Sequence, residues 1–247
     1  MAPVRGCQTK ILIDQYDLSG QSNSVDITAD VAVLDYANFQ ECYQQRIPGL
    51  PMSAIAHNGY FNGSGAGQLE QELYSRLGSG NNVFVGVILG TSLTAPVGYV
   101  LPTSFGQQLK LDAPVNELLT VQGNWAGGSA NQLRRGLQLP LGTAVAATGA
   151  QTGIDFGAAG SAGGKACLFV TGIAGSATNA TIKVQSDSAS NFATVADEGT
   201  FTFSAVGGYE ISLSGTIGRH IRANVTSLGG ATSLTFLMVV CVNGVTQ

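Results

Sequence analysis

Alternation of apolar and polar residues in short runs is the feature that most limits the fold of this chain. Within residues 165–244, apolar side chains recur at every second position, at Ile182 and Val184, Phe201 and Phe203, Ile211 and Leu213, Ile221, Ala223 and Val225, and Leu234, Phe236, Met238 and Val240. A period of two places such side chains on one face of a strand. Turn residues separate the runs about every ten residues, and 34 glycines supply tight turns. We predict a compact antiparallel β-sandwich here.

The first half of the chain predicts strands of the same kind. Residues 11–36 alternate around a turn at 17–20, and further strands are predicted at 52–61, 83–89, 97–101, 105–111 and 118–125. The segment from Tyr36 to Leu50 is predicted to be a long loop, because it is polar and contains the Ile47-Pro48-Gly49 turn signal. Residues 83–89 are apolar at almost every position, which fits either burial between subunits or a central strand.

One helix is predicted over residues 67–77. Leu69, Leu73 and Leu77 fall at i, i+4 and i+8, so they share one face. Glu72 and Arg76 form an i,i+4 pair, and a glycine at position 78 can end the helix. With one apolar face, this helix is expected to pack against a sheet.

The predicted fold class is mainly β, in three parts. Residues 1–140 form an N-terminal β-sandwich or barrel with one flanking α-helix. The tract of small residues at 141–164 is a linker that leads into the first strand of the next unit. Residues 165–247 form the C-terminal antiparallel β-sandwich, which is immunoglobulin-like or jelly-roll-like.

Charged residues are scarce. Asp, Glu, Lys and Arg make up 11% of the chain, against roughly 25% in an ordinary soluble domain. Since 44% of the residues are hydrophobic, a monomer would expose broad neutral surface, and such surface associates. Further copies of the same chain are the expected cover for it.

The sequence lacks the patterns of common catalytic and cofactor sites. It contains no GxSxG, HExxH or GxxxxGK[ST] motif, and the glycines at 63, 65 and 67 lack the spacing of a phosphate loop. His57 has no partner tied to it by spacing and is expected at a surface or interface. Cys7, Cys42, Cys167 and Cys241 are dispersed, so free thiols are expected. We therefore expect no enzyme, no cofactor and no metal site.

Two cellular expectations follow from the apolar runs. None approaches the roughly 18 residues of a membrane helix, so no membrane partner is expected. The first 17 residues lack the apolar core of a signal peptide, so we expect the chain to fold where it is made.

The early strands carry an unusual charge pattern. No Lys, Arg or His occurs between Lys10 and Arg46, whereas six acids do, namely Asp14, Asp17, Asp26, Asp30, Asp35 and Glu41. One interpretation is a solvated acidic face. The other is a surface that faces DNA without holding it, because carboxylates repel phosphates while basic side chains bind them.

The order of features in residues 10–139 resembles the major tail tube proteins of long-tailed, siphovirus-like bacteriophages. That order is a strand, a DLSG turn, the acidic strand SVDITADVAVLDYANF, a long loop, IPGL, a strand ending in GYF and one helix. Most of the resemblance lies in Asp35, Phe39, Pro48-Gly49-Leu50 and Gly59-Tyr60-Phe61. The second half is similar to the outer β-domains appended to phage tail proteins.

The resemblance implies a tail-tube-type fold whose inner strands close a β-barrel around a channel in hexameric rings, which stack into the tube that delivers the genome. It places the channel-lining acids at Asp14, Asp26, Asp30 and Asp35. It places the inter-ring loop at 36–52, with Phe39, Glu41, Arg46, Pro48 and Gly49 in contact. The implied partners are other copies, tape measure, tail terminator and distal tail proteins, and double-stranded DNA in transit. The implied location is the virion tail, after assembly in the host bacterial cytoplasm.

Two alternatives stay open at this point. The chain could be another phage ring protein, of the distal tail or of head completion. The C-terminal sandwich could instead be a carbohydrate-binding or capsid-decoration module, in which Tyr60, Phe192 or Tyr209 offers a stacking surface for sugars.

Overall fold

The computed structural model describes residues 6–38, 41–63, 65–78, 83–91, 93–128, 133–139 and 143–245, with the side chains of 36–38 and 41–45 left out. Strands dominate, so the predicted mainly β class is confirmed. In chain order the elements are β1 (Thr9–Ile13), β2 (Tyr16–Asp17), β3 (Ser22–Asn38), β4 (Glu41–Tyr60), α1 (Leu69–Arg76), β5 (Val83–Leu89), β6 (Val97–Asp112), β7 (Thr120–Gly127), β8 (Arg134–Gln138), β9 (Gly149–Ala150), β10 (Ile154–Asp155), β11 (Gly164–Gly175), β12 (Ala180–Asp187), β13 (Ala196–Phe203), β14 (Gly207–Leu213), β15 (His220–Ser227) and β16 (Ala231–Val242).

Two antiparallel sheets organise these strands. The larger sheet runs in the order β14-β11-β16-β8-β6-β5-β1-β2, and β7, β4 and β3 continue from β6 as a branch. The smaller sheet runs β10-β15-β12-β13, with β9 beside β15. Apolar residues of the smaller sheet, among them Ile182, Phe201 and Ile221, pack against those of β11 and β16 to form one core. The antiparallel sandwich predicted for the second half is therefore present.

The larger sheet joins the two halves of the chain. Val239 and Val240 of β16 pair with Gln138 and Leu137 of β8. The predicted linker supplies β9 and β10 to the smaller sheet. The division at 1–140, 141–164 and 165–247 stays a prediction, and its two large parts share strand pairing.

The strand β5 is central, which decides between the two explanations of its apolar sequence. It pairs with β1 on one side and β6 on the other. Val83, Val85 and Val87 enter the core beneath the helix, while Phe84 and Ile88 enter a second cluster that contains β11 and β16 residues. Burial within one chain therefore accounts for both faces of β5.

The helix α1 forms close to its predicted bounds. Leu69 and Leu73 are buried and Glu72 pairs with Arg76, as expected. Leu77 is the exception, since it caps the helix with extended backbone and is 43% exposed. Gly78 then adopts a left-handed φ of 64°, a conformation that suits glycine.

The loop predicted from Tyr36 to Leu50 is wrong. Two long strands, β3 and β4, pair as a hairpin through this region, from Ser22 with Gly59 to Asn38 with Glu41. The register shifts between Val31 and Val33, opposite Pro51 and Pro48. A bulge of this kind accommodates proline in a strand, which is why the turn signal did not end the hairpin.

Candidate functional site

The branch β3-β4-β7-β6 is a four-stranded sheet with one buried face. Ile55 of β4 lies opposite Trp125 of β7, and both are fully buried. Leu69 and Leu73 of α1 belong to the same cluster. Val25 and Ile27 of β3 pack against it, as the alternating sequence predicts. These contacts pack the sheet against the helix.

The opposite face of the same four strands is polar. In register across it, Asp26 pairs with Ala56, Ala56 with Asn124 and Asn124 with Gln108. The rows on either side complete what we call the polar face: Thr28, Asp30, Ala54, Asn58, Gln122, Lys110 and Asp112. Most of these side chains are small or polar, and the exposed Phe105, which pairs with Ala126 on the same face, is an apolar exception. The acids of this face outnumber its single base.

Both outer edges of this four-stranded sheet are open among the described residues. The strand β3 pairs with β4 alone, so its other edge is unpaired along 17 residues. The strand β6 pairs with β5 only as far as Ser104, and Gly106 accepts a hydrogen bond from the Gly78 N–H at 3.1 Å. Beyond Gly106, the edge from Gln107 to Asp112 has no partner strand. Open edges of this length favour pairing with another chain.

The predicted acids do not all lie together. Asp26 and Asp30 share the polar face and are exposed. Asp35 lies farther along β3, where its Oδ1 accepts a hydrogen bond from Arg46 Nε at 3.1 Å. Because this ion pair neutralises the charge of the Asp35 carboxylate, we do not group Asp35 with Asp26 and Asp30.

Asp14 lies on the helix side of the sheet and holds the fold together. Its Oδ1 accepts the Phe84 N–H at 2.9 Å, and its Oδ2 lies 3.1 Å from Arg76 Nη2 on α1. Its backbone has a φ of 51°, a left-handed conformation that Asp tolerates better than most residues. Asp14 is thus not grouped with Asp26 and Asp30 in this structure.

The hairpin extends past the sheet as a two-stranded arm, which we define as residues 30–38 and 41–53. β4 pairs with β7 only from Ala54 onward, so the arm has no third strand. Its large apolar side chains are exposed among the described residues, namely Val31, Val33, Leu34, Ile47, Leu50 and Met52. Of the predicted contact residues, Arg46, Pro48 and Gly49 lie on the arm. Phe39 and the side chain of Glu41 lie outside the described residues.

A cleft of about 960 Å³ opens where the arm leaves the sheet. Its walls include Leu34, Leu50, Met52, Ala126 and Arg134, with Asp30 among the polar groups. Arg134 Nε is buried without a hydrogen bond and lies 3.5 Å from Glu210 Oε2. We call this feature the arm cleft, and it combines apolar walls with a cation.

His57 is buried, so its predicted position at a surface or interface is wrong. Its Nδ1 accepts a hydrogen bond from Trp125 Nε1–H at 3.3 Å, and its Nε2 is buried without a partner. Burial lowers the pKa of His57 to about 4, because the charged imidazolium would lose its hydration. The imidazole is therefore a neutral core group and not a base in a cleft.

The thiols and metal-ligating side chains form no reactive centre in the described part of the chain. Cys7, Cys167 and Cys241 are free thiols, as predicted, and the Cys42 side chain lies outside the described residues. Burial raises the pKa of the Cys167 and Cys241 thiols, so both stay protonated. No group of three His, Cys, Asp or Glu side chains is placed to hold a metal ion among the described residues.

Sequence reasoning missed most of the polar face. Asn58, Gln122, Asn124 and Lys110 were not singled out, although they alternate with buried residues on predicted strands. The period of two could have found them once the register of β4, β7 and β6 was known.

Within the ranges that the structure describes, no helix has the length and apolar character to cross a membrane.

Comparison with known proteins gives only distant structural likeness. No family model and no curated protein sequence matches this chain. The tube-terminating cap of an anti-feeding prophage is 13% identical, with 56% of this chain and 93% of that chain covered and a TM-score of 0.41. A chain of a gene transfer agent virion is 12% identical, with 53% and 98% covered and a TM-score of 0.40. The Dit protein of phage SPP1 is 9% identical, with 94% and 98% covered and a TM-score of 0.34. Scores this low do not establish a shared family.

Proposed function

We propose that this protein is a structural subunit of a phage tail that assembles into rings around a channel. The observation that carries the proposal is the four-stranded sheet β3-β4-β7-β6, which has two open edges and one polar face. Within the proposal the chain is a major tail tube subunit, and its stacked rings conduct DNA during genome delivery.

The open edges support ring closure because of their direction. Each neighbouring pair in the order β3, β4, β7 and β6 is antiparallel, so β3 and β6 also run antiparallel to each other. The β3 edge of one copy can therefore pair with the free β6 edge of the next copy as an ordinary antiparallel ladder. Repeated contacts of this head-to-tail kind close into a ring when the rotation allows it.

The polar face supports a channel for DNA. Ring closure with the helix outside turns this face toward the axis, because α1 packs against the opposite face. Asp26 and Asp30 then repel phosphates, while neutral Asn and Gln side chains offer no strong attachment. We propose Asp26 and Asp30 as the channel-lining acids and Asp35 as a residue of the ring end. The structural role of Asp14 makes it the weakest of the four predicted channel residues.

The remaining expectations extend the same proposal. The resemblance implies six copies in each ring, contact with tape measure, terminator and distal tail proteins, and a place in the virion tail. The arm, with Arg46, Pro48 and Gly49, is proposed to contact the next ring. A non-catalytic role follows from this function, and no cofactor enters it.

Electron microscopy of the purified protein tests the proposal. We expect hollow rings or tubes, with a gold label on the C-terminus at the outer radius, and a sedimentation coefficient far above that of a 25.3 kDa monomer. Single rings that never stack would favour a distal tail or head-completion role. A monomer at every concentration would exclude ring assembly by this chain alone.

The sugar-binding alternative finds less support in the aromatic side chains. The guanidinium of Arg222 covers the ring of Phe192 at 4.3 Å, and the Tyr209 hydroxyl donates to the Ala205 carbonyl at 2.8 Å. Of the three aromatic residues considered, Tyr60 is exposed, but it lies on the first half of the chain beside the polar face. A carbohydrate platform needs exposed aromatic faces, which the described C-terminal residues among these three do not offer.

A further inference from the structure

A cavity of about 610 Å³ lies beside the open edge of β3, at the start of that strand. It lies between residues 22–25 of β3 and residues Thr9 and Ile11 of β1. None of the described residues that line it is charged, and Ile11, Val25 and Leu89 give it apolar walls. We call it the edge cavity. A neutral cavity with apolar walls suits a neutral, apolar segment of chain.

The turn between β6 and β7 presents such a segment. This turn spans residues 113–119, and we call it the β6–β7 turn. The Glu117 N–H donates to the Pro114 carbonyl at 3.4 Å, so Val115 lies at the tip. Val115 is 99% exposed and Leu118 is 68% exposed. These neighbouring side chains form a small apolar patch that is available for contact with another molecule.

The direction of the proposed edge pairing brings these two features together. The free edge of β6 is residues 107–112, and the chain continues from it into the β6–β7 turn. Since the arm is proposed to contact the next ring, residues 22–29 of β3 are left for pairing within a ring. In an antiparallel ladder the β6 edge then runs toward the start of β3, and Asp112 lies opposite residues 22–24.

The distance from the ladder to the edge cavity is short. Residues 22–24, opposite Asp112, line the edge cavity themselves. Val115 follows Asp112 by three residues, so it lies within about 10 Å of that point. The turn of the neighbouring copy is therefore the segment that the ladder delivers to the cavity.

We propose that the β6–β7 turn of one copy covers the edge cavity of the next copy in the same ring. Val115 then packs against Val25 and Leu89. Val25 also packs against the core beneath the helix, so the cavity lies on the side of β3 away from the polar face, and the turn stays out of the channel. This inference rests on the proposed function, because the pairing of β3 with β6 sets the position of the turn.

A native thiol allows a direct test of the contact. Cys7 is exposed and lines the edge cavity. In a Cys42→Ser background, Val115→Cys should form disulfides with Cys7 of the next copy under mild oxidation. Non-reducing gels should show a ladder that ends at the number of copies in one ring, because each copy carries one thiol for each neighbour.

Two controls accompany the cysteine protein. Adding Cys7→Ser should remove the ladder. Val206→Cys, at an exposed position on the second half, should give no ladder although Cys7 is still present. A ladder that survives Cys7→Ser would show that the turn contacts another surface, and this would overturn the inference.

A charge placed on the turn tests whether the contact stabilises the ring. Val115→Asp should leave the monomer as stable as the wild type, because this side chain is almost fully exposed. It should raise the protein concentration needed for rings by at least about tenfold, because an apolar contact becomes a buried charge. Val206→Asp should leave that concentration unchanged.

Two results would overturn this inference while the ring proposal stands. One is rings of Val115→Asp at the wild-type concentration, and the other is rings of the cysteine protein that give no ladder. A wild-type protein that forms no rings would overturn both.

Discussion

The ring of Phe84 meets the ring of Phe169 edge to face, with centroids 4.9 Å apart and an interplanar angle of 72°. Phe84 belongs to β5 in the first half and Phe169 to β11 in the second. Around them, Gly86 and Gly208 leave room for the two rings, since a Cβ at either glycine would lie 2.2–2.3 Å from one of them. The aromatic pair therefore packs the first half of the chain against the second half in one buried cluster.

Removing one of these rings should weaken the whole chain. Phe169→Ala leaves a cavity between β5 and β11, and such truncations cost about 3–5 kcal/mol. We expect one cooperative urea transition, shifted to lower concentration, when intrinsic fluorescence and circular dichroism are followed together. Phe61→Ala, at an exposed position, should change stability by less than about 0.5 kcal/mol. Two separate transitions, of which Phe169→Ala moves only the later, would instead show independent domains.

Acid should destabilise the monomer through His57. Its pKa is about 4 in the folded chain and 6.5 when unfolded, so the unfolded state binds more protons between these values. Stability is therefore complete above pH 6.5 and is lost as the pH falls toward 4, by about 3 kcal/mol in all.

The variant His57→Gln isolates this effect, because its side-chain oxygen can still accept the Trp125 N–H. Chemical unfolding at pH 7 and pH 4 should give a stability loss about 3 kcal/mol smaller in the variant than in the wild type. Carboxylates whose pKa is lowered in the folded chain, such as that of Asp197, reduce the free energy of unfolding by the same amount in both proteins as the pH falls. Their contribution therefore cancels in the difference between the two proteins. Equal losses would show that His57 takes up its proton as readily in the folded chain as in the unfolded chain, so that its pKa is not lowered by burial.

Substitutions at Asp14 should affect folding and leave the channel unchanged. Asp14→Asn keeps an acceptor for the Phe84 N–H and tolerates the left-handed backbone, so it should cost about 1 kcal/mol through the lost Arg76 pair. Asp14→Ala loses the acceptor as well and should cost about 3 kcal/mol. Thermal unfolding measures both changes. A folded, fully stable Asp14→Ala protein with altered DNA passage would restore Asp14 to the channel.

The sequence predicts those parts of the fold that are decided by the residues of a single strand or helix. The period of two placed Val25 and Ile27 on the buried face and located the strands of the second half. The same alternation puts Asp26 and Asp30 on the opposite face. The i,i+4 spacing located α1 because Leu69 and Leu73 need only one packing surface.

The errors arise where a distant part of the chain decides the outcome. The polar stretch with Pro48 and Gly49 becomes a strand because β3 pairs with it at a bulge. His57 looked isolated in sequence, yet Trp125, 68 positions away, gives it a hydrogen bond in the core. In the sequence Asp14 is one acid of a row, whereas in the fold its carboxylate binds the Phe84 N–H and the Arg76 guanidinium. Cross-strand register and turn conformation are properties of the folded chain, and alternation alone does not contain them.

Charge reversal on the polar face should slow the passage of DNA without disturbing assembly. Asp26 is exposed and the structure gives it no ion-pair partner among the described residues, so Asp26→Lys is not expected to weaken the fold. In a closed ring every copy would present the new cation to the axis, and each phosphate that it neutralises releases counterions. DNA would then be held where the wild-type face repels it.

In particles whose tails carry Asp26→Lys and Asp30→Lys, ejection measured by dye entry into released DNA should slow at least about tenfold at low salt and recover as salt is added. The control Glu70→Lys makes a change of the same sign on α1, on the other side of the sheet, and should eject at the wild-type rate. Ejection that is equally fast in all three would remove Asp26 and Asp30 from the channel, and equal slowing by Glu70→Lys would attribute the effect to net charge.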